Sequence, residues 1–87
     1  MTREEIKAKL KDIFNSVRTK KVDVEVNENS GLVENLYLDS LEQVEMLFEI
    51  ENTFSISISD DEARDFKTVK DIIDIIQVKT SSEERAN

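Results

Sequence analysis

Apolar side chains recur at intervals of three and four residues along this chain, and this periodicity constrains the fold more than any other feature of the sequence. The spacing places such residues on one face of an α-helix. It predicts a first helix over residues 3–17, preceded by Thr2 and Glu5 at the spacing of a capping box. The apolar face of this helix would consist of Ile6, Leu10, Ile13, Phe14 and Val17.

A second helix is predicted to begin after Asp39 and to run to about Phe54. Aspartate is a favourable N-cap residue, because its carboxylate accepts hydrogen bonds from amides of the first turn. Glu42, three residues further on, suits the positive end of the helix dipole. The sequence therefore predicts a well-defined start for this helix.

Two more helices are predicted in the second half of the chain. Ser59 and Glu62 form another capping box, which predicts a short third helix around Asp60–Asp65. Thr68 opens a last helix that we expect to end near Val78. Its apolar face would consist of Val69, Ile72, Ile73 and Ile76.

The chain is expected to form one small domain over residues 1–79, followed by a polar tail over residues 80–87. At 87 residues the chain lies near the lower size limit for a self-sufficient hydrophobic core. The tail lacks apolar anchors, so we expect it to be disordered.

Residues 18–38 connect the first two helices and are the hardest part of the chain to interpret. Val22 to Val26 alternate with acids, which is typical of a half-buried strand, but no comparable second strand exists to pair with them. We therefore predict an extended loop whose valines pack onto the helices. Four later residues are too apolar for a free linker: Leu32, Val33, Leu36 and Leu38. The predicted fold class is all-α, a four-helix bundle with a long loop between the first and second helices and a short third helix.

The side chains that the sequence lacks exclude several kinds of catalytic and metal-binding site. The chain contains no cysteine and no histidine, so it has no thiolate nucleophile and lacks the commonest general base and metal ligand. No apolar run is long enough to cross a membrane, and the formal net charge of −8 opposes binding to nucleic acid. We expect a monomeric, cytoplasmic protein without a metal site or enzymatic activity, whose charged partners present basic surfaces.

The predicted second helix carries two apolar stripes, at a turn of about 100° per residue. The expected core stripe holds Met46, Leu47, Ile50 and Phe54. A separate stripe holds Leu41, Val44 and Phe48. Four acids border the second stripe: Glu42, Glu45 and Glu49 on one side and Glu51 on the other. The second stripe either packs under the long loop or the third helix, or forms an exposed contact surface for a partner.

Asp39-Ser40-Leu41 opens this helix, and by itself this tripeptide is ordinary capping sequence. No histidine can activate Ser40, so a Ser-His-Asp triad is excluded, and a serine without an internal base must be modified by another protein. Two functions that need no modified serine also remain open. One is an unmodified acidic adaptor that binds proteins through the helix. The other is a carboxylate enzyme using Glu42 and Glu45, which is disfavoured because both acids are expected to be exposed and unperturbed.

Four segments set this tripeptide in context. They are Leu32 to Met46, Ile50-Glu51-Asn52-Thr53-Phe54, Ile58-Ser59-Asp60-Asp61-Glu62-Ala63 and Thr68-Val69-Lys70-Asp71-Ile72. Together, across residues 3–78, they resemble the acyl carrier protein family around its phosphopantetheine attachment site. The resemblance implies that a phosphopantetheinyl transferase attaches a 4′-phosphopantetheine arm from coenzyme A to Ser40. The arm would carry acyl intermediates of fatty acid, polyketide or related biosynthesis as thioesters, or aminoacyl or peptidyl groups in a dedicated carrier.

The resemblance also implies roles for further residues. Asp39 would cap the helix and help to position Ser40 or the transferase's metal. Basic partner enzymes would dock on Leu41, Glu42, Val44, Glu45, Phe48 and Glu51. An acyl chain would be sheltered between helices by Met46, Leu47, Ile50, Phe54, Ile73 and Ile76. The sequence departs from the common family pattern at Tyr37, where many carriers have glycine, and at Ser59, where many have proline.

Overall fold

The computed structural model describes residues 1–19 and 25–86, the last six of these as backbone only. This part of the chain contains four α-helices, which are α1 Arg3–Val17, α2 Ser40–Phe54, α3 Asp60–Arg64 and α4 Val69–Ala86. The β-type pairing described here is a single antiparallel bridge between Gly31 and Thr68. The predicted all-α class is confirmed, with its long first loop and its short third helix.

Local sequence signals set the starts of the first three helices. Each begins with a capping box, in which the N-cap side chain accepts from the backbone N–H of the third helical residue, and the carboxylate of that residue accepts from the N-cap N–H. The pairs are Thr2 with Glu5, Asp39 with Glu42, and Ser59 with Glu62. Ser59 therefore caps the start of α3, because its hydroxyl oxygen accepts from the Glu62 N–H.

The core lies where α1 packs against both α2 and α4. The apolar faces predicted for α1 and α4 are buried there, together with most of the first stripe of α2. Leu47 is the member of that stripe that is only partly buried. From α2 the core receives Met46, Ile50 and Phe54, and from α4 it receives Val69, Ile72, Ile73 and Ile76.

The loop between α1 and α2 caps the start of α4. The Val69 N–H donates to the Ser30 carbonyl at 3.0 Å, and the Lys70 N–H donates to the Glu28 carbonyl at 2.9 Å. The first amides of a helix have no partner within it, so these carbonyls replace water as acceptors. The loop is thereby fixed to α4 before the chain enters α2.

Four of the five aliphatic residues that the structure describes in this loop are buried. Val33 is more than half exposed, although it was expected to be packed down with the other apolar residues of the loop. Val22 and Val24, which were also expected to pack, lie outside the described residues. The buried members are Val26, Leu32, Leu36 and Leu38.

Helix α4 extends to Ala86, beyond the predicted end near Val78. Thr80 is buried, and its hydroxyl donates to the Ile76 carbonyl at 2.8 Å. Residues 79–86 contain no glycine or proline and include several strong helix formers, so the helix propagates without apolar anchors. The predicted helix end is wrong, whereas the division of the chain at residue 79 stays a prediction. Within the described range, no helix is long and apolar enough to cross a membrane.

Candidate functional site

Ser40 is the first residue of α2, and its side chain is exposed. The N-cap residue is Asp39, whose Oδ1 accepts from the Glu42 N–H at 2.8 Å. The Ser40 hydroxyl is not needed for capping, and it forms no hydrogen bond within the described part of the chain. The helix start therefore presents an accessible hydroxyl where a negatively charged ester would also suit the helix dipole.

Glu42 is buried, with 4% of its surface exposed, although it was predicted to contact partners. Its Oε1 accepts from the Asp39 N–H at 2.9 Å, which completes the capping box. Its Oε2 accepts from the Thr19 N–H at 2.6 Å and from the Thr19 hydroxyl at 2.8 Å. Glu42 thus ties the end of α1 to the start of α2. The expectation that Glu42 is exposed is wrong, and its burial argues against the predicted role in docking.

The second apolar stripe of α2 faces solvent. Leu41 is 67% exposed, Val44 51% and Phe48 64%. Glu45 and Glu49 beside them are exposed too, and neither forms an ion pair within the described residues. Two like charges four residues apart weaken a helix slightly, so this pattern does not serve the stability of α2. We call these five residues the outer face of α2.

Glu51 lies apart from the outer face. Its side chain is partly buried, and its Oε2 accepts from the Ile58 N–H at 2.8 Å. This hydrogen bond holds the loop between α2 and α3 against the end of α2. Glu51 therefore has a structural role that the helical wheel did not reveal. Glu49, which the predicted docking set omitted, is the acid that extends the outer face.

Tyr37 is a feature of the site that sequence reasoning noted only as a departure from a family pattern. Its φ of 59° lies in the left-handed region, which glycine adopts without strain. The tyrosine ring is 49% exposed and lies three residues before Ser40. With the exposed Val33, it adds apolar surface to the loop that leads into α2.

The six residues predicted to shelter an acyl chain are brought together by the fold. Five of them are buried in one core and Leu47 packs against it. Their sheltering role stays a prediction. Among the described residues, no group of three or more histidine, cysteine or acidic side chains is placed to bind a metal ion.

A small helical bundle with an exposed serine at the start of α2 is typical of a carrier domain. A family model described as the phosphopantetheine attachment site matches residues 6–76. An acyl carrier protein from Coprothermobacter proteolyticus is 39% identical over 77 residues, covering 88% of this chain and 93% of that protein. One from Helicobacter hepaticus is 40% identical over 72 residues, covering 76% and 95%. The crystal structure of an acyl carrier protein from Thermotoga maritima superposes with a TM-score of 0.79 at 29% identity, covering 92% of each chain.

The chain belongs to the acyl carrier protein family. Its cofactor is phosphopantetheine, and it acts as a carrier rather than as an enzyme. The site described above fits this cofactor, because a phosphodiester requires an accessible hydroxyl and Ser40 supplies one next to a helix N-terminus.

Proposed function

We propose that Ser40 is the attachment residue and that the chain carries acyl intermediates of fatty acid, polyketide or related biosynthesis. The observation that supports this most directly is the exposed Ser40 hydroxyl. Asp39 caps the helix, so this hydroxyl is not used for capping. When bound, the cofactor supplies a terminal thiol that holds the acyl group as a thioester. The chain's own residues fix the start of α2, present the hydroxyl and provide a surface for partner enzymes. We place this activity in the cytoplasm.

Partner enzymes are proposed to dock on the outer face of α2. Its three apolar side chains are exposed in line with Ser40, and a contiguous apolar strip on a small protein marks a contact surface. Glu45 and Glu49 leave their charges available to arginine and lysine of a partner. Exposed ion pairs are individually weak, about 0–1 kcal/mol, which suits a carrier that must leave each enzyme after a visit.

The proposed cargo space is the core, to which α2 contributes its first stripe and α4 contributes Ile73 and Ile76. An acyl chain buried there would stabilise the fold by about 0.8 kcal/mol for each methylene removed from water. Urea unfolding of carriers loaded with chains of increasing length measures this directly. Stability that does not change with chain length would rule out sheltering in the core.

The test of the proposed function is modification of Ser40 itself. We expect the wild-type chain, incubated with coenzyme A and a broad-specificity phosphopantetheinyl transferase, to gain the mass of one phosphopantetheine. Ser40→Ala should gain none while keeping the helical circular dichroism of the wild type. A control carrier modified in the same reaction shows that the transferase is active. An unmodified wild-type chain beside a modified control would leave the adaptor function as the better explanation.

A further inference from the structure

A polar cleft of about 450 Å³ opens in the long loop that leads into α2. Tyr37 lines it and lies three residues before Ser40, a stretch that spans at most about 11 Å of extended chain. We call this the loop cleft. Its lining residues are Glu25, Asn27, Asn29, Ser30, Asn35 and Tyr37.

Hydrogen bonds orient two asparagine side chains of the loop cleft. Asn35 Oδ1 accepts from the Gly31 N–H at 2.7 Å, and Asn27 Oδ1 accepts from the Asn29 N–H at 3.2 Å. Because the oxygens are engaged by backbone donors, the amide orientation is set and the Nδ2 groups remain as donors. Neither Nδ2 group has a partner among the described residues. The cleft therefore offers N–H donors to a ligand with carbonyl oxygens.

Two features of the cleft argue for a neutral ligand with an apolar part. Glu25 contributes a carboxylate, which repels an anion but accepts an N–H. Tyr37 contributes an exposed ring, held on a backbone with φ of 59°. A tyrosine in this conformation costs roughly 1–2 kcal/mol that glycine would avoid, and strain of this kind clusters at functional sites.

We propose that the loop cleft is the resting position of the pantetheine portion of the arm, with Asn27 and Asn35 donating to its amide carbonyls and the Tyr37 ring covering its apolar part. The phosphate would stay at the start of α2, and only the neutral portion would enter the cleft. The arm contains two amides, a hydroxyl and a dimethyl group, and it is longer than the stretch of chain from Tyr37 to Ser40, which spans at most about 11 Å. This inference rests on the proposed attachment at Ser40.

Tyr37 provides the test, because it is the only tyrosine and the chain contains no tryptophan. Intrinsic fluorescence therefore reports on this ring alone. The mass-verified holo protein is compared with the apo protein and with Ser40→Ala, using acrylamide as the quencher because its neutrality removes any effect of the new phosphate charge. We expect a lower quenching constant for Tyr37 in the holo protein only. An unchanged or higher constant would overturn the inference.

Asparagine variants locate the effect within the cleft. Asn35→Asp keeps the oxygen that accepts from Gly31 and removes the Nδ2 donor, so Tyr37 of the holo variant should become as accessible as in the apo protein. Asn52→Asp is the matched control, because Asn52 is exposed and lies twelve residues along α2, about 18 Å from Ser40. It should leave the quenching of the holo protein unchanged. Equal effects of the two variants would count against the proposed donor.

Nuclear magnetic resonance gives an independent readout. On conversion from apo to holo, the side-chain amide signals of Asn27 and Asn35 should shift and that of Asn52 should not. Shifts confined to the outer face of α2 would place the arm there and overturn the inference. The experiments distinguish the two proposals. A chain that gains no mass contradicts attachment of the arm at Ser40. A modified chain in which Tyr37 is not protected contradicts only the resting position of the arm in the loop cleft.

Discussion

Glu42 and Glu45 lie one turn apart in α2, but the fold gives the two carboxylates opposite environments. Glu42 is buried and accepts hydrogen bonds from Asp39 and Thr19, whereas Glu45 is exposed and unpaired within the described chain. A buried carboxylate with several donors is costly to remove because each donor loses its acceptor. An exposed one can change with little effect on stability.

We expect Glu42→Ala to lower the free energy of unfolding by about 1–3 kcal/mol, because the Asp39 and Thr19 amides lose their acceptor. Glu45→Ala, the matched control on the same helix, should change it by less than about 0.5 kcal/mol. Urea unfolding followed by circular dichroism measures both. Equal destabilisation by the two substitutions would show that the hydrogen bonds of Glu42 contribute little.

One capping residue marks each end of helix α2, and one side of the helix is exposed to solvent. Asp39 caps its start, and Ser55 ends it with φ of 55° in the left-handed region. Between them the first stripe enters the core and the outer face is exposed, with two acids that form no ion pair among the residues that the structure describes. The buried stripe and the proposed docking surface therefore lie on different sides of one helix.

Ser55→Gly is expected to stabilise the protein by about 1 kcal/mol, because glycine adopts the left-handed C-cap conformation without a steric penalty. Ser57→Gly is the control two residues later, also exposed but without a positive φ. It should destabilise by roughly 0.5–1 kcal/mol through the greater flexibility of the unfolded chain. Thermal and urea unfolding should show the two changes with opposite signs. A loss of stability in Ser55→Gly would mean that the serine side chain stabilises this cap.

Charge reversal on the outer face tests docking. Glu45→Lys should reduce kcat/KM of a phosphopantetheinyl transferase roughly threefold to tenfold at low salt, since an attraction becomes a repulsion. The reduction should shrink as salt screens the charges. Asp65→Lys, at an exposed position directly after α3, carries the same change in net charge and should have a smaller effect. If both variants lose activity equally, overall charge and not the outer face controls the encounter.

At the scale of the whole molecule, Arg3 joins three parts of the chain. Its guanidinium donates to both carboxylate oxygens of Glu28 in the long loop, at 2.6 and 3.0 Å. It also donates to Asp74 and Gln77 of α4, at 2.8 and 2.7 Å, and Lys70 pairs with Asp74 from the other side at 2.8 Å. The start of α1, the loop and α4 are therefore held by one charged cluster at the surface.

This cluster predicts a dependence of stability on pH. Hydrogen bonding to Arg3 lowers the pKa of Glu28, and Lys70 together with Arg3 lowers the pKa of Asp74. Because the folded pKa values are lowered, the stabilisation is complete above the unfolded values of about 4.3 and 3.9 and is lost as the pH falls through the folded ones. The stability difference between wild type and Arg3→Met should be constant above about pH 5 and should shrink below pH 4.

Urea unfolding across this pH range measures that difference. Lys11→Met is the matched control, since Lys11 is an exposed cation of α1 outside the cluster. Its difference from wild type should be smaller and should reflect only net charge. A gap between wild type and Arg3→Met that widens towards low pH would contradict the assigned role of Arg3.

The sequence by itself determined what local rules control. Capping boxes and apolar periodicity fixed the starts of α1, α2 and α3 and the residues that enter the core, because these features depend on neighbours within one or two turns. The same spacing predicted the second apolar stripe of α2, whereas Ser40 became a candidate through the resemblance to acyl carrier proteins. The resemblance of the whole sequence to acyl carrier proteins also led to the correct family.

Only the tertiary structure decided which acids remain available to partners. A helical wheel places Glu42 beside Glu45, but it does not contain Thr19, which approaches from the end of α1 and makes Glu42 structural. The same limit hid the hydrogen bond from the Ile58 N–H to Glu51 and the loop carbonyls that cap α4. Burial of a polar side chain depends on which distant segment supplies its partners, and a one-dimensional pattern does not specify that contact.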